Sequence, residues 1–234
     1  MQIKFNENFD LDAAAVEFQH DKRGRFTDVL DTSNASEIYT GLKSLSYDLA
    51  LIHEQRYMSI QPSDWTSMDP QTKQKYITMS HRYASHGEGF IYGRKNLSAG
   101  GCGVGSIDAF NKWLNSKAVI AWIKKVSGHD DIVAASAQAT RYGPGQFLTR
   151  HKDEHQTEQR RVAYVFNFTE KWHPDWGGLL QFYENDGTPR DSWTPGFNTL
   201  SLFDVKHIHS VTYVTPFALQ PRLSITGWFR ATPL

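Results

Sequence analysis

Apolar residues recur at helical spacing through the first half of the chain and at strand spacing through the second. In LDAAAVEFQ (11–19), Leu11, Ala14, Ala15 and Phe18 share one helical face. Ile38, Leu42 and Leu45 repeat that pattern over 33–45, behind Ser33 or Asn34, either of which suits a helix N-cap. Asp69-Pro70 joins a capping side chain to a proline at the first helical position and predicts a helix to about Tyr83. Two further helices are expected over 107–115 and 117–126, and YDLALIHE (47–54) and GFIYG (89–93) read as strands.

After residue 130 the period shortens. VAASAQATRY, RVAYVFNF, GLLQFYE, FNTLSLFD, SVTYV and RLSITGWFRA are short β-rich runs punctuated by Gly, Pro, Asn and Asp. Strands with no helices between them predict an antiparallel sandwich or jelly roll, with the earlier helices covering one face. The expected fold is mainly β with supporting helices, α+β in class. The expected organisation is one domain over 1–234, with a mostly helical supporting region to about 130 and a jelly-roll core over about 131–234.

Composition narrows the function. The 234 residues include seven Trp, ten Tyr and fourteen Phe, which excludes a disordered chain. Lys plus Arg and Asp plus Glu balance at 25 each, so there is no basic field to hold a nucleic-acid backbone, and no nucleic-acid partner is expected. No run nears the roughly 20 apolar residues of a membrane span. The N-terminus lacks the apolar stretch of a secretory signal, and the lone Cys102 suits a reducing compartment. A cytoplasmic protein is expected, with no membrane partner.

His-x-Asp, which sets an imidazole and a carboxylate on one face of a strand, occurs three times. A distant histidine would complete a two-His-one-carboxylate face, a ligand set suited to Fe(II) with open positions for substrate and oxygen. His129-Asp130-Asp131 sits in a turn, and Pro174 interrupts His173-Pro174-Asp175. His151-Lys152-Asp153 directly follows the extended run Gln146–Arg150. His207 and His209, of equal strand parity, are the candidate distal histidines. Thirteen residues after His209, Arg222, Ser224, Thr226 and Trp228 face one way in a strand, and a buried arginine there calls for a carboxylate partner.

The ordered segments RYGPGQFLTRHKD (141–153), RRVAYVFNFTEKW (160–172), GGLLQFYE (177–184), HSV (209–211) and RLSITGWF (222–229) resemble the Fe(II)- and 2-oxoglutarate-dependent oxygenases of the prolyl-4-hydroxylase-like branch. The resemblance extends to the catalytic domain of fungal ribosomal prolyl hydroxylases and their bacterial relatives; the fungal enzymes carry a second, similar domain with no counterpart here. It implies a double-stranded β-helix core with Fe(II) held by His151, Asp153 and His209. Arg222 would bind the distal carboxylate of 2-oxoglutarate with Ser224 as helper, Tyr142 would line the pocket, and Trp228 would close its wall. Asn167 stands where many relatives place a tyrosine that touches 2-oxoglutarate, and the interval from His209 to Arg222 is slightly longer than in the animal enzymes. The implied reaction consumes O2 and 2-oxoglutarate and hydroxylates a substrate C–H, most plausibly of a prolyl residue in a protein, with a free amino acid or small metabolite as the alternative. A cupin-like metal-binding module without 2-oxoglutarate chemistry is the competing class, and Arg222 separates the two.

The glycine-rich run Ser98–Ser106 lacks the features of a phosphate loop and reads as a flexible loop, a candidate lid. Cys102 has no histidine partner that would make it a nucleophile.

Overall fold

The computed structural model describes every residue except Gln55 and Ala99. Along the chain, Asp10 caps α1 (Leu11–Asp21), which leads into β1 (Arg23–Phe26). In α2 (Thr32–Ser44) the cap is Asp31, whose carboxylate accepts from the Ser33 amide at 3.0 Å. The sequence reading set this cap at Ser33 or Asn34. The acceptor needed is an oxygen two residues ahead of the free amide, and Asp31 supplies it.

A hairpin, β2 (Asp48–His53) and β3 (Arg56–Ile60), is followed by the short α3 (Pro62–Ser67). Asp69 caps α4 (Pro70–Ser85) as expected, accepting from the Thr72 amide at 2.9 Å. β4 (Phe90–Asn96), α5 (Gly105–Leu114) and α6 (Lys117–Ser127) complete the first half.

Eight strands follow: β5 (Ala134–Tyr142), β6 (Phe147–His151), β7 (Arg160–Asn167), β8 (Leu180–Tyr183), β9 (Pro189–Trp193), β10 (Thr199–Asp204), β11 (Ile208–Val211) and β12 (Arg222–Arg230). Four of them run β10-β7-β12-β5 and the other four run β6-β11-β8-β9, all pairing antiparallel. Apart from the β8–β9 pair, successive strands cross between the two sheets, which is the double-stranded β-helix. β4 pairs with β5 on one side and β6 on the other, closing one seam of the barrel, while β1 extends the far edge beside β10.

Strand alternation divides the barrel wall into two environments. On β12, Leu223, Ile225 and Phe229 face outward with Val162, Tyr164 and Phe166 of β7 and pack under the helices against Ile38, Leu42, Phe110 and Ile123. The intervening residues of the same strands face the barrel interior. There Ala163, Val165, Phe182 and Phe203 form a smaller apolar cluster against Trp228. α3 and α4 cover the hairpin, where Trp65, Tyr76 and Ile77 lie against Leu51, Ile60 and Ile91.

The described part of the glycine-rich run is tethered. The Cys102 and Gly103 amides donate to the Asp108 carboxylate at 2.7 and 3.2 Å. Ala99, inside that run, lies outside the described residues.

Candidate metal centre

β6 and β11 lie side by side with His151 opposite His209, so the pairing register alone sets the two imidazoles together. Their ring centroids are 4.2 Å apart. Asp153, two residues beyond His151, is anchored by its amide to the Val205 carbonyl at 3.0 Å. Its two carboxylate oxygens lie 3.6 Å from His151 Nε2 and 3.4 Å from His209 Nε2. One ligand atom from each of the three falls within 4.8 Å of the others.

Both histidines are held in the same way. His151 Nδ1–H donates to the Thr149 carbonyl at 2.9 Å, and His209 Nδ1–H donates to the His207 carbonyl at 3.0 Å. Each imidazole bonds the backbone two residues before it in its own chain segment. With that proton fixed on Nδ1, the Nε2 lone pair is free to face a cation.

Electrostatics follow from depth. Burial alone would raise the Asp153 pKa, but His209 and His151 beside it, with the Trp228 indole, hold it well below the usual carboxylate range. His209 is almost fully buried, edge-on to Phe203 at 4.6 Å, and desolvation pushes it down to about 4. At His151 burial acts in the same direction but is outweighed by Asp153, and the net shift is upward. At neutral pH Asp153 is thus an anion and His209 a neutral imidazole, and with His151 they make the donor set that a divalent transition metal takes.

A cavity of about 60 Å³ is lined by this cluster together with Tyr142, Leu180, Val211, Thr226, Trp228 and Arg222. Arg222 is 2% exposed, and burial lowers its pKa to about 10, so it stays charged. Its Nη1 donates to the Gly178 carbonyl at 2.8 Å and its Nη2 to Asn167 Oδ1 at 3.2 Å. Among the described residues its Nε, and the hydroxyl of fully buried Ser224, have no hydrogen-bond partner. An unspent buried guanidinium donor on the cavity wall fits a ligand carboxylate. Tyr142, fully desolvated, keeps its phenol proton well beyond the usual range; its ring lies 5.6 Å from the Arg222 guanidinium and stacks on Tyr92.

The structure therefore gathers His151, Asp153, His209, Arg222, Tyr142 and Trp228 around one cavity. Ser224 and Asn167 lie next to Arg222, outside the cavity wall. Trp228 is gripped from its other side by Arg160, whose Cζ sits 3.5 Å from the ring centroid. His207 precedes β11 and bonds the Asp21 carbonyl at 3.0 Å, away from the cluster; equal parity held only while both histidines were assigned to a strand. His129 lies 3.8 Å from Asp204, and His173 caps a surface turn, so neither of the other His-x-Asp sequences joins the site.

Sequence reasoning missed the Gly178 carbonyl. The Gly177-Gly178 pair was its only trace. Both have positive φ, and a Cβ on Gly177 would collide with the Tyr213 carbonyl. Tyr92 and Gln138, also on the cavity wall, were missed because their partners come from different strands, whereas Thr226 lies there as its parity with Arg222 implies.

Residues 137–230 match the 2OG-Fe(II) oxygenase superfamily. Over 116 residues the chain is 34% identical to a Mus musculus protein named prolyl 3-hydroxylase OGFOD1; the match covers 47% of this chain and 21% of that protein, about a fifth of its length. A Pseudomonas putida prolyl-4-hydroxylase shares the fold at a TM-score of 0.65 and 18% identity, over 96% of this chain and 100% of that one. A Trichoplax adhaerens prolyl hydroxylase, solved with a hypoxia inducible factor peptide fragment, also gives 0.65, at 15% identity over 94% and 89% of the two chains. The superfamily's cofactors are Fe(II) and 2-oxoglutarate, with O2 as oxidant, and the donor set and unspent buried donors described above fit them. The match over residues 137–230 and the shared fold make this chain similar to the 2OG-Fe(II) oxygenase superfamily and, in fold, to the solved prolyl-4-hydroxylases.

Proposed function

We propose that the chain is a dioxygenase that hydroxylates an unactivated C–H, of a prolyl residue in a protein substrate, with conversion of 2-oxoglutarate to succinate and CO2. The observation that carries this reading is that the His151–Asp153–His209 cluster and the buried Arg222 line one cavity. His151, Asp153 and His209 hold iron; Arg222, with Ser224 and Tyr142, takes the distal carboxylate of 2-oxoglutarate. The bound pair supplies oxygen activation: one oxygen atom of O2 enters succinate and the other the substrate hydroxyl. The protein's part is to hold both imidazoles by Nδ1–H bonds to the backbone with Nε2 free for the metal, Asp153 ionised and the guanidinium fixed. Apolar walls from Leu180, Val211 and Trp228 keep bulk water from the reacting carbon.

The prolyl substrate is favoured by the names of the relatives, one of them solved with a peptide. Small amino-acid-like substrates are the runner-up. Cytoplasmic location is part of the same reading, supported by the single cysteine; among the described residues no helix is long and apolar enough to cross a membrane. So is the working of residues 1–234 as one domain, supported by β4 pairing with strands of both sheets.

The test is an anaerobic titration of metal-free protein with Fe(II) and then 2-oxoglutarate. A weak visible charge-transfer band is expected, and it should be absent in His151→Ala. Iron bound without a band would point to the cupin-like class instead.

A further inference from the structure

We propose that Asn167 is a positioning residue, whose carboxamide oxygen sets the Arg222 guanidinium for a distal carboxylate without itself binding the cosubstrate. The inference rests on the reading of Arg222 given above. Its starting point is the orientation of the Asn167 amide, which the surrounding bonds decide. Thr199 spends its only hydroxyl proton on the Gly196 carbonyl at 2.9 Å, so towards Asn167 it can only accept. The group facing Thr199 Oγ1 at 3.3 Å is therefore Nδ2, and Oδ1 faces Arg222. Arginine has no acceptor, so the reversed amide would set donor against donor at Arg222 and acceptor against acceptor at Thr199.

Strand register makes this a built arrangement. Thr199 lies opposite Asn167 across β10–β7, and Ser224 lies opposite it across β12–β7. All three residues are buried, as is Arg222 two positions before Ser224. Oδ1 of Asn167 and the Gly178 carbonyl each take one hydrogen from a different terminal nitrogen of the guanidinium. Two anchors on two nitrogens fix the plane of the fork and leave Nε–H and one hydrogen on each Nη unspent. A phenol at position 167 would extend past the guanidinium; the shorter carboxamide stops at it. Discrimination between a 2-oxo dicarboxylate and a 2-oxo monocarboxylate thus passes through Asn167 by way of Arg222.

The experiment compares 2-oxoglutarate with 2-oxobutyrate, which chelates a metal through the same 2-oxo acid but has no distal carboxylate. Dissociation constants are measured by calorimetry on the Zn(II)-loaded protein, so no turnover is needed. Asn167→Ala should weaken 2-oxoglutarate about tenfold, the size of one hydrogen bond to a charged group, and leave 2-oxobutyrate within about twofold. Asn167→Asp, which neutralises the guanidinium from behind, should weaken 2-oxoglutarate by about thirtyfold or more with 2-oxobutyrate again unmoved. If Asn167→Asp does not fold, Asn167→Ala decides. Parallel weakening of both ligands, or an unchanged 2-oxoglutarate constant in Asn167→Ala, overturns the positioning role alone. A wild-type protein that does not prefer 2-oxoglutarate to 2-oxobutyrate overturns the reading of Arg222 and this inference with it.

Discussion

The two faces of β12 are made by the same nine residues and do opposite work. Leu223, Ile225 and Phe229 enter the apolar layer beneath the helices, whereas Arg222, Thr226 and Trp228 line the cavity that holds the metal ligands. The outer face is stabilising by area, each fully buried side chain contributing about 1.5–3 kcal/mol. The inner face carries a buried guanidinium and meets the Asp153 carboxylate across the cavity lining, and both charges cost desolvation. The fold is held from outside the barrel and the chemistry is placed inside it, on alternate residues of shared strands. Function and stability should therefore be separable by substituting one face at a time.

The largest effect on stability is expected outside. Phe110 is fully buried on α5, edge-on to Phe166 at 5.1 Å and to Phe168 at 6.0 Å. Phe110→Ala should cost about 3–5 kcal/mol of unfolding free energy, with 2-oxoglutarate affinity of the folded fraction unchanged. Chemical denaturation beside ligand titration checks it, and a comparable loss of affinity would break the separation.

Arg222→Leu is the inner counterpart. It should lower 2-oxoglutarate affinity about a hundredfold, roughly 3 kcal/mol for a charged, bidentate partner, while the unfolding midpoint moves far less than in Phe110→Ala. Replacing a buried charge by an apolar group of similar volume is often neutral for stability. A large fall in the midpoint would show that Arg222 serves the fold.

The smallest effect sharpens the comparison within the site. His151 is held above its ordinary pKa and is mostly protonated at and below pH 6.5 in the metal-free protein, whereas His209, near 4, is already neutral. Metal binding needs both neutral. Near pH 6 it should release about one proton, from His151, and the release should fade as pH rises through the His151 pKa. Affinity should accordingly rise with pH below that value and level off above it. Calorimetric Zn(II) titrations in buffers of different ionisation heat measure this; affinity flat from pH 5 to 7 would refute it.

Much of this division was legible in the sequence, since alternation within VAASAQATRY, RVAYVFNF and RLSITGWF already sorts the two faces. The ligand set was legible through His151-x-Asp153 on an extended run. What escaped notice depends on pairing between distant segments. β1, β3 and β9 carry charged or mixed side chains with no alternation and are strands because of what they lie beside. Asn167 could be named as a departure from a pattern, but its bond to Arg222 follows from the β7–β12 register, to which no local spacing points. The choice of His209 over His207 needed the start of β11, a boundary set by its pairing with β8.

The edge pairing of β1 with β10 bears on how the molecule is assembled. Arg23 lies opposite Phe203 and Phe26 opposite Leu200, so β1 waits for a strand made much later in the chain. Until β10 is made, the edge of β1 that faces it has no partner. Closing so long a loop is entropically costly before its contacts can repay it, and topologies of this kind fold slowly. The charged character of β1, Arg-Gly-Arg-Phe, then acts as a safeguard during synthesis: it discourages the waiting edge from pairing with another nascent chain.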